Sequence, residues 1–264
     1  MAHALTYGKY LRLDELLALQ TPRSGVEGEP EHDELLFIII HQVYELWFKQ
    51  LLHELDYAAL LLRAGDSARV GHTLRRVLTI LKTVVAQIDV LETMTPLEFN
   101  AFRSHLETAS GFQSAQFREI EFLLGYKRAN MLRHLADDEQ VAARLAARYE
   151  APTLWDAFLQ YLSRSGHPVP AAELARDVRE PLRPSPELQV LLVAVYRNDV
   201  TARGVCERLV DMDEGFQEWR YRHVKMVERT IGTKSGTGGS SGAAYLAATL
   251  KPFFPDLWAI RSQL

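Results

Sequence analysis

The sequence predicts an all-α fold, a single-domain helical bundle, on three observations. Apolar residues recur at steps of three and four through nearly the whole chain, helix caps are spelled out at several boundaries, and no stretch alternates with the period of two that a half-buried strand needs. With 264 residues, 47% hydrophobic and 24% charged, the chain is long enough to bury one real core.

Residues 1–30 form an N-terminal segment whose first residues, "MAHALTYGKY", lack the apolar stretch of a signal peptide. From His32 to about Arg63, "HDELLFIIIHQVYELWFKQLLHELDYAALLLR" is one long helix. A second runs from about Ser67 to Glu92, its stripe built from Leu74, Leu78, Leu81, Val85, Ile88 and Leu91. "TPLE" then sets Thr95 as N-cap, Pro96 at the first helical position and Glu98 two residues further, a capping box in which hydroxyl and carboxylate satisfy amides that the helix start leaves open. The helix it opens carries Phe99, Phe102, Arg103 and Leu106. Gly125 and Gly166 read as stops, Thr153 in "TLWD" and Ser185 in "SPEL" as starts, and 178–186 as a proline-rich connector. A very long helix follows from about Thr201 to Ile231 and ends at Gly232.

Bulk properties remove several functions. The net charge is −4 with no basic block, which gives nucleic acid no electrostatic footprint. Cys206 is the only cysteine, so an internal disulfide and a cysteine-based zinc site are excluded. The purely apolar runs "LLFIII" and "VLLVAVY" are too short to span a bilayer. The expectation is a cytoplasmic protein without a membrane partner.

"GTKSGTGGSSG", residues 232–242, is the compositional oddity. It follows a helix instead of opening one after a strand, and its spacing matches no phosphate-binding motif. As a linker it would join two folded units, yet little chain follows it. A mobile loop beside a site remains, with glycines supplying backbone freedom and Thr237, Ser240 and Ser241 supplying hydroxyls.

Three polar residues sit on apolar stripes. His223 shares a face with Phe216, Trp219, Met226 and Val227, ringed by Arg220, Arg222 and Lys225. His41 lies with Phe37 and Phe48 on the first long helix, with Tyr44 and Glu45 a turn on. Either is alone read as a satisfied core histidine. Together they would face each other across an apolar slot that fits a haem, one as axial ligand and one distal, the cations suiting the haem carboxylates. Arg103, among aromatics, is either a snorkelling side chain or a bidentate receptor for a ligand carboxylate.

Four stretches together resemble the haem-dependent tryptophan 2,3-dioxygenases: "LTYGKYLRLDELL", "HDELLFIIIHQVYELWFKQLLHEL", "FNAFRSHLETASGFQSAQFREIEFLLG" and "WRYRHVKMVERTIGTKSGTGGSSG". They are spread from end to end, while about Lys127 to Asn198 carries no match beyond helical character. The resemblance implies haem b, active as Fe2+, with O2 as co-substrate and L-tryptophan or a close derivative as substrate. By it His223 is the axial iron ligand, and His41 the catalytic residue that hydrogen-bonds the indole N–H. Phe37 packs on the indole, Arg103 clamps the carboxylate, Phe99 and Leu106 wall the pocket, and Thr237 contacts the amino-acid end. It implies a homotetramer in which Tyr7 and Tyr10, within residues 1–30, reach a neighbouring subunit's site, and an active-site lid at 232–242. The product would be N-formylkynurenine, in tryptophan catabolism. Alternatives are a mono-oxygenase on the same scaffold giving a 2-oxindole, a haem or tryptophan sensor without turnover, and a helical interaction protein.

Overall fold

The computed structural model describes residues 4–26, 28–135, 138–238 and 242–264. Two short helices, α1 (Tyr7–Leu11) and α2 (Leu13–Leu16), contain no buried residue. Three long ones carry the molecule: α3 (His32–Ala64), α4 (Ser67–Leu91) and, near the end, α11 (Val200–Ile231). Between α4 and α11 come α5 (Pro96–Phe102), α6 (Ala115–Leu123), α7 (Glu139–Glu150), α8 (Leu154–Arg164), α9 (Ala171–Leu174) and α10 (Pro186–Asn198). After α11 lie α12 (Ala243–Ala247) and α13 (Pro255–Ala259). No strand occurs among the described residues, so the all-α, single-domain expectation holds.

The written boundaries form as the caps dictate. Thr95 accepts the Glu98 amide while the Glu98 carboxylate accepts the Thr95 amide, and Thr153 with Asp156 repeats this reciprocal pair. α11 ends at Gly232 with φ 60° and ψ −127°, a conformation that a Cβ would strain. One expectation is corrected: the helix opened by Thr95 stops at Phe102, and Arg103–Leu106 tightens into a 3-10 turn. That pitch eclipses residues three apart, so Arg103 and Leu106 project to one side while Phe102 stays fully buried.

α3 and α11 each pack along α4 but scarcely on one another, and α6 and α8 cover the other flanks of α3. α3 is long and apolar enough to cross a membrane by length and composition, although no single apolar run within it is. Its buried stripe from Ile40 through Tyr44, Phe48, Leu51 and Leu55 to Leu62 is core packing, and the Tyr44 hydroxyl donates to the Val84 carbonyl of α4.

The C-terminal segment is clasped to α11 by one buried carboxylate. Asp213 accepts the amides of Phe253 and Phe254 and the Trp258 indole N–H, each at 3.0 Å. Burial pushes its carboxyl pKa up, and the three donors work against that. Asp213→Ala orphans those donors, so urea unfolding should show a loss of about 2–4 kcal/mol; a midpoint matching the parent's would contradict the clasp.

Candidate functional site

The cavity opens where α3 and α11 part from each other. α3 lines one wall with Phe37, His41, Tyr44, Glu45 and Phe48, the i, i+4, i+7, i+8, i+11 stripe of one helix face. α11 lines the opposite wall with Trp219, His223, Met226 and Val227. Phe216, placed on the same stripe by its spacing, instead packs edge-on against Phe253 in the core. Phe99, Arg103 and Leu106 come from α5 and its 3-10 turn, and Thr237 from the glycine-rich loop. Seven of the residues marked in the sequence, Phe37, His41, Phe99, Arg103, Leu106, His223 and Thr237, thus meet around one space.

The His41 Nδ1–H donates to the Phe37 carbonyl at 2.7 Å. A carbonyl only accepts, so in the neutral ring the proton sits on Nδ1 and Nε2 keeps its lone pair. Burial holds the imidazole below its ordinary pKa, against the raising effects of the Phe37 bond and the Glu45 carboxylate. The ring rests on Phe37 with centroids 4.0 Å apart, and Phe37 continues into Phe99 and Phe102 at 5.8 and 5.4 Å.

His223 is partly buried on the cavity wall, and burial pushes its pKa down to about 4, with a smaller contribution from His41 across the cavity. Its ring stacks on Trp219, one turn earlier, at 5.4 Å and 9°. Among the described residues it has no hydrogen-bond partner. It is a neutral imidazole with an uncommitted lone pair, which is what a transition-metal centre requires of a ligand. No group of three or more His, Cys, Asp or Glu side chains suited to a bare ion occurs among the described residues. A single histidine in an apolar cavity fits a metal carried by a macrocycle.

Arg103 donates from Nη2 to the Ser235 carbonyl at 2.6 Å and has no carboxylate partner among the described residues. Thr237 Oγ1 donates to the Ala109 carbonyl at 2.6 Å. Gly238 lies so close to Ser110 that a Cβ would meet the Ser110 Cβ at 2.7 Å. The segments 103–114 and 235–238 therefore close on each other over the cavity. Gly239, Ser240 and Ser241, the rest of that expectation's hydroxyls included, lie outside the described residues.

One expectation is corrected. Arg222 pairs with Asp89 and Glu92, and Lys225 with Glu228, on the outer side of α11, so neither reaches the cavity. Side chains at i−1 and i+2 point away from a residue at i on a helix, and salt bridges to α4 hold Arg222 there. Arg220 does line the cavity, bonded to Glu121 at 3.0 Å and to the Thr249 carbonyl at 3.0 Å. Tyr7 and Tyr10 are 75% and 70% exposed and do not line this cavity.

Arg118 and Glu121, also in the cavity wall, were not singled out from the sequence. Their signal was "FREIEFLL": charges one turn apart inside an apolar run, on a nine-residue helix buried on every side from Phe117 to Leu123.

A sequence profile described as "Tryptophan 2,3-dioxygenase" matches residues 1–167 and 136–264, which takes in the middle segment that no motif had covered. The chain is 65% identical over 264 residues to a tryptophan 2,3-dioxygenase of Herpetosiphon aurantiacus, covering 100% of both chains. It is 58% identical over 262 residues to that of Anaeromyxobacter dehalogenans, covering 99% of this chain and 97% of the relative. Against the same enzyme of Caulobacter vibrioides it is 43% identical over 268 residues, with both chains covered in full.

Proposed function

The chain belongs to the tryptophan 2,3-dioxygenase family, and from that premise we propose how its cavity performs the reaction. The enzyme is an oxidoreductase that adds both atoms of O2 across the C2–C3 bond of the indole of L-tryptophan, giving N-formylkynurenine; the oxindole-forming alternative is not favoured. The facing pair His41 and His223, across an apolar cavity whose rim holds a guanidinium without a carboxylate partner, carries the assignment of roles.

His223 would hold the iron of haem b. When bound, the haem supplies the binding and activation of O2. The protein's own part is placement and exclusion of water. Arg103 offers its remaining N–H groups to the substrate carboxylate, a bidentate match. Phe37, Phe99 and Leu106 wall the indole. His41 Nε2, left bare by the Nδ1–H bond to Phe37, accepts the indole N–H and so sets the ring's rotation about its long axis. Thr237 is the hydroxyl nearest the amino-acid end, and the loop 232–242 is the lid.

Residues 1–30 would cross to a neighbouring subunit within a homotetramer, where Tyr7 and Tyr10 exchange water for an apolar partner. A reducing cytoplasm suits the single buried thiol of Cys206, whose pKa burial pushes up to about 12.

The deciding experiment adds L-tryptophan in air to the reduced, haem-loaded protein and reads the product mass. Gain of two oxygen atoms with cleavage of the indole supports the reading, whereas gain of one overturns it.

Two further outcomes follow from the geometry. His41 must stay neutral to accept the indole N–H, and its pKa is held below the ordinary 6.5. Acid protonates Nε2, so the fall of kcat/KM on acidification should have its midpoint below pH 6.5. A fall centred near pH 7.5 would contradict a neutral, depressed His41. Gly238→Ala forces the lid off Ser110. KM for L-tryptophan should then rise about three- to tenfold with the haem spectrum unchanged; an unaltered KM would show that this close approach has no part in closure.

A further inference from the structure

Resting on the haem reading above, a second receptor for carboxylates lies in the same cavity wall. Glu121 on α6 is shared by three guanidinium groups. Arg118, one turn earlier, bonds its Oε2, Arg128 bonds the same oxygen at 2.7 Å, and Arg220 bonds Oε1 at 3.0 Å. Three positive charges therefore share one negative charge, and Arg118 and Arg220 are each only 4% exposed. The nearby carboxylate of Asp213 attracts Arg220 from a distance, but its hydrogen bonds go to the amides of Phe253 and Phe254 and to Trp258.

The cluster is also short of acceptors. The Nε–H groups of Arg118, Arg128 and Arg220 are all buried, and none has a partner among the described residues. Aromatic faces shield them: Phe112 and Phe117 lie 5.4 and 5.5 Å from the Arg118 guanidinium, and Phe253 lies 4.5 Å from that of Arg220. Such contacts soften a buried charge without neutralising it. Burial accordingly holds the Arg220 pKa below its ordinary value, opposed by Glu121 and aided by the neighbouring Arg128. Surplus positive charge in a desolvated wall is costly unless an anion completes the set.

Position says which anion. Arg118, Glu121 and Arg220 line the cavity that His223 lines, and Arg220 stands one turn before His223 on α11. Arg103, the receptor assigned to the substrate, belongs to a different set of partners around Ser235. We propose that the Arg118–Arg128–Arg220 cluster, balanced only in part by Glu121, is the seat of a haem carboxylate and orients the macrocycle on His223.

The test titrates the haem-free full chain with iron protoporphyrin IX and, separately, with its dimethyl ester, following the histidine-ligated absorption spectrum. The free acid should bind about ten- to a hundredfold more tightly. Arg118→Gln should bring that ratio close to one, and Arg103→Met should leave it in place. Equal binding of acid and ester by the parent overturns the proposal while the haem reading stands. A parent that gives no histidine-ligated spectrum with either porphyrin overturns the haem reading and this proposal with it. A ratio that persists in Arg118→Gln while KM for L-tryptophan rises would hand the cluster to the substrate carboxylate, and overturns it too. Should Arg118→Gln not fold, the comparison of acid with ester on the parent protein decides.

Discussion

His223→Ala, purified with haem supplied, should show no histidine-ligated haem spectrum and no turnover. No other imidazole lines that wall of the cavity. His223 makes no hydrogen bond among the described residues, so its removal costs the fold little beyond the ring's packing on Trp219. Far-ultraviolet circular dichroism should therefore match the parent. Added imidazole, entering the space the side chain leaves, should restore part of the ligated spectrum. A parent-like haem spectrum without imidazole would remove the ligand assignment and leave His41 as the next candidate.

Arg103→Met should lower kcat/KM for L-tryptophan by about a hundred- to a thousandfold, a loss on the order of 3–4 kcal/mol. The carboxylate would enter the same cavity without its cation, and the Ser235 carbonyl would lose the donor that draws the lid inward. These two effects separate with tryptamine, which lacks the carboxylate. The parent should discriminate strongly between tryptophan and tryptamine, and the variant should discriminate little. Arg103→Lys should recover only part of the loss, because an ammonium cannot grip a carboxylate bidentately and bond Ser235 in the same plane. Unchanged discrimination in Arg103→Met would mean that another group holds the carboxylate.

The helices were legible because their signals are local. Thr95 and Glu98 satisfy each other's amides within three residues, Pro96 brings no amide to satisfy, and Thr153 with Asp156 repeats the reciprocal pair, so these starts form where they are written. The stripes of α3 and α11 were legible for the same reason, since a period of 3.6 brought His41 and His223 onto apolar faces before any contact was known. The pitch change at Arg103 was not legible. It depends on burying Phe102 while turning Arg103 toward Ser235, 132 residues away.

Charge was harder to read than apolarity. Arg220, Arg222 and Lys225 look alike beside His223 in the sequence, yet only Arg220 lines the cavity, because Glu121 lies on that side and Asp89 and Glu92 on the other. Helix geometry restricts the directions available to a long cationic side chain, and the acid it meets across the fold selects among them.

By itself the sequence determined the all-α class, most helix ends, the two histidines on their stripes, the arginine among aromatics and the loop of glycines, each a matter of spacing within a few turns. Only the tertiary structure decided that His41 keeps Nε2 bare, that Arg103 has no carboxylate partner among the described residues, and that three arginines crowd onto Glu121. These are facts of burial and pairing between segments up to 132 residues apart, where free energy depends on which groups lose water together.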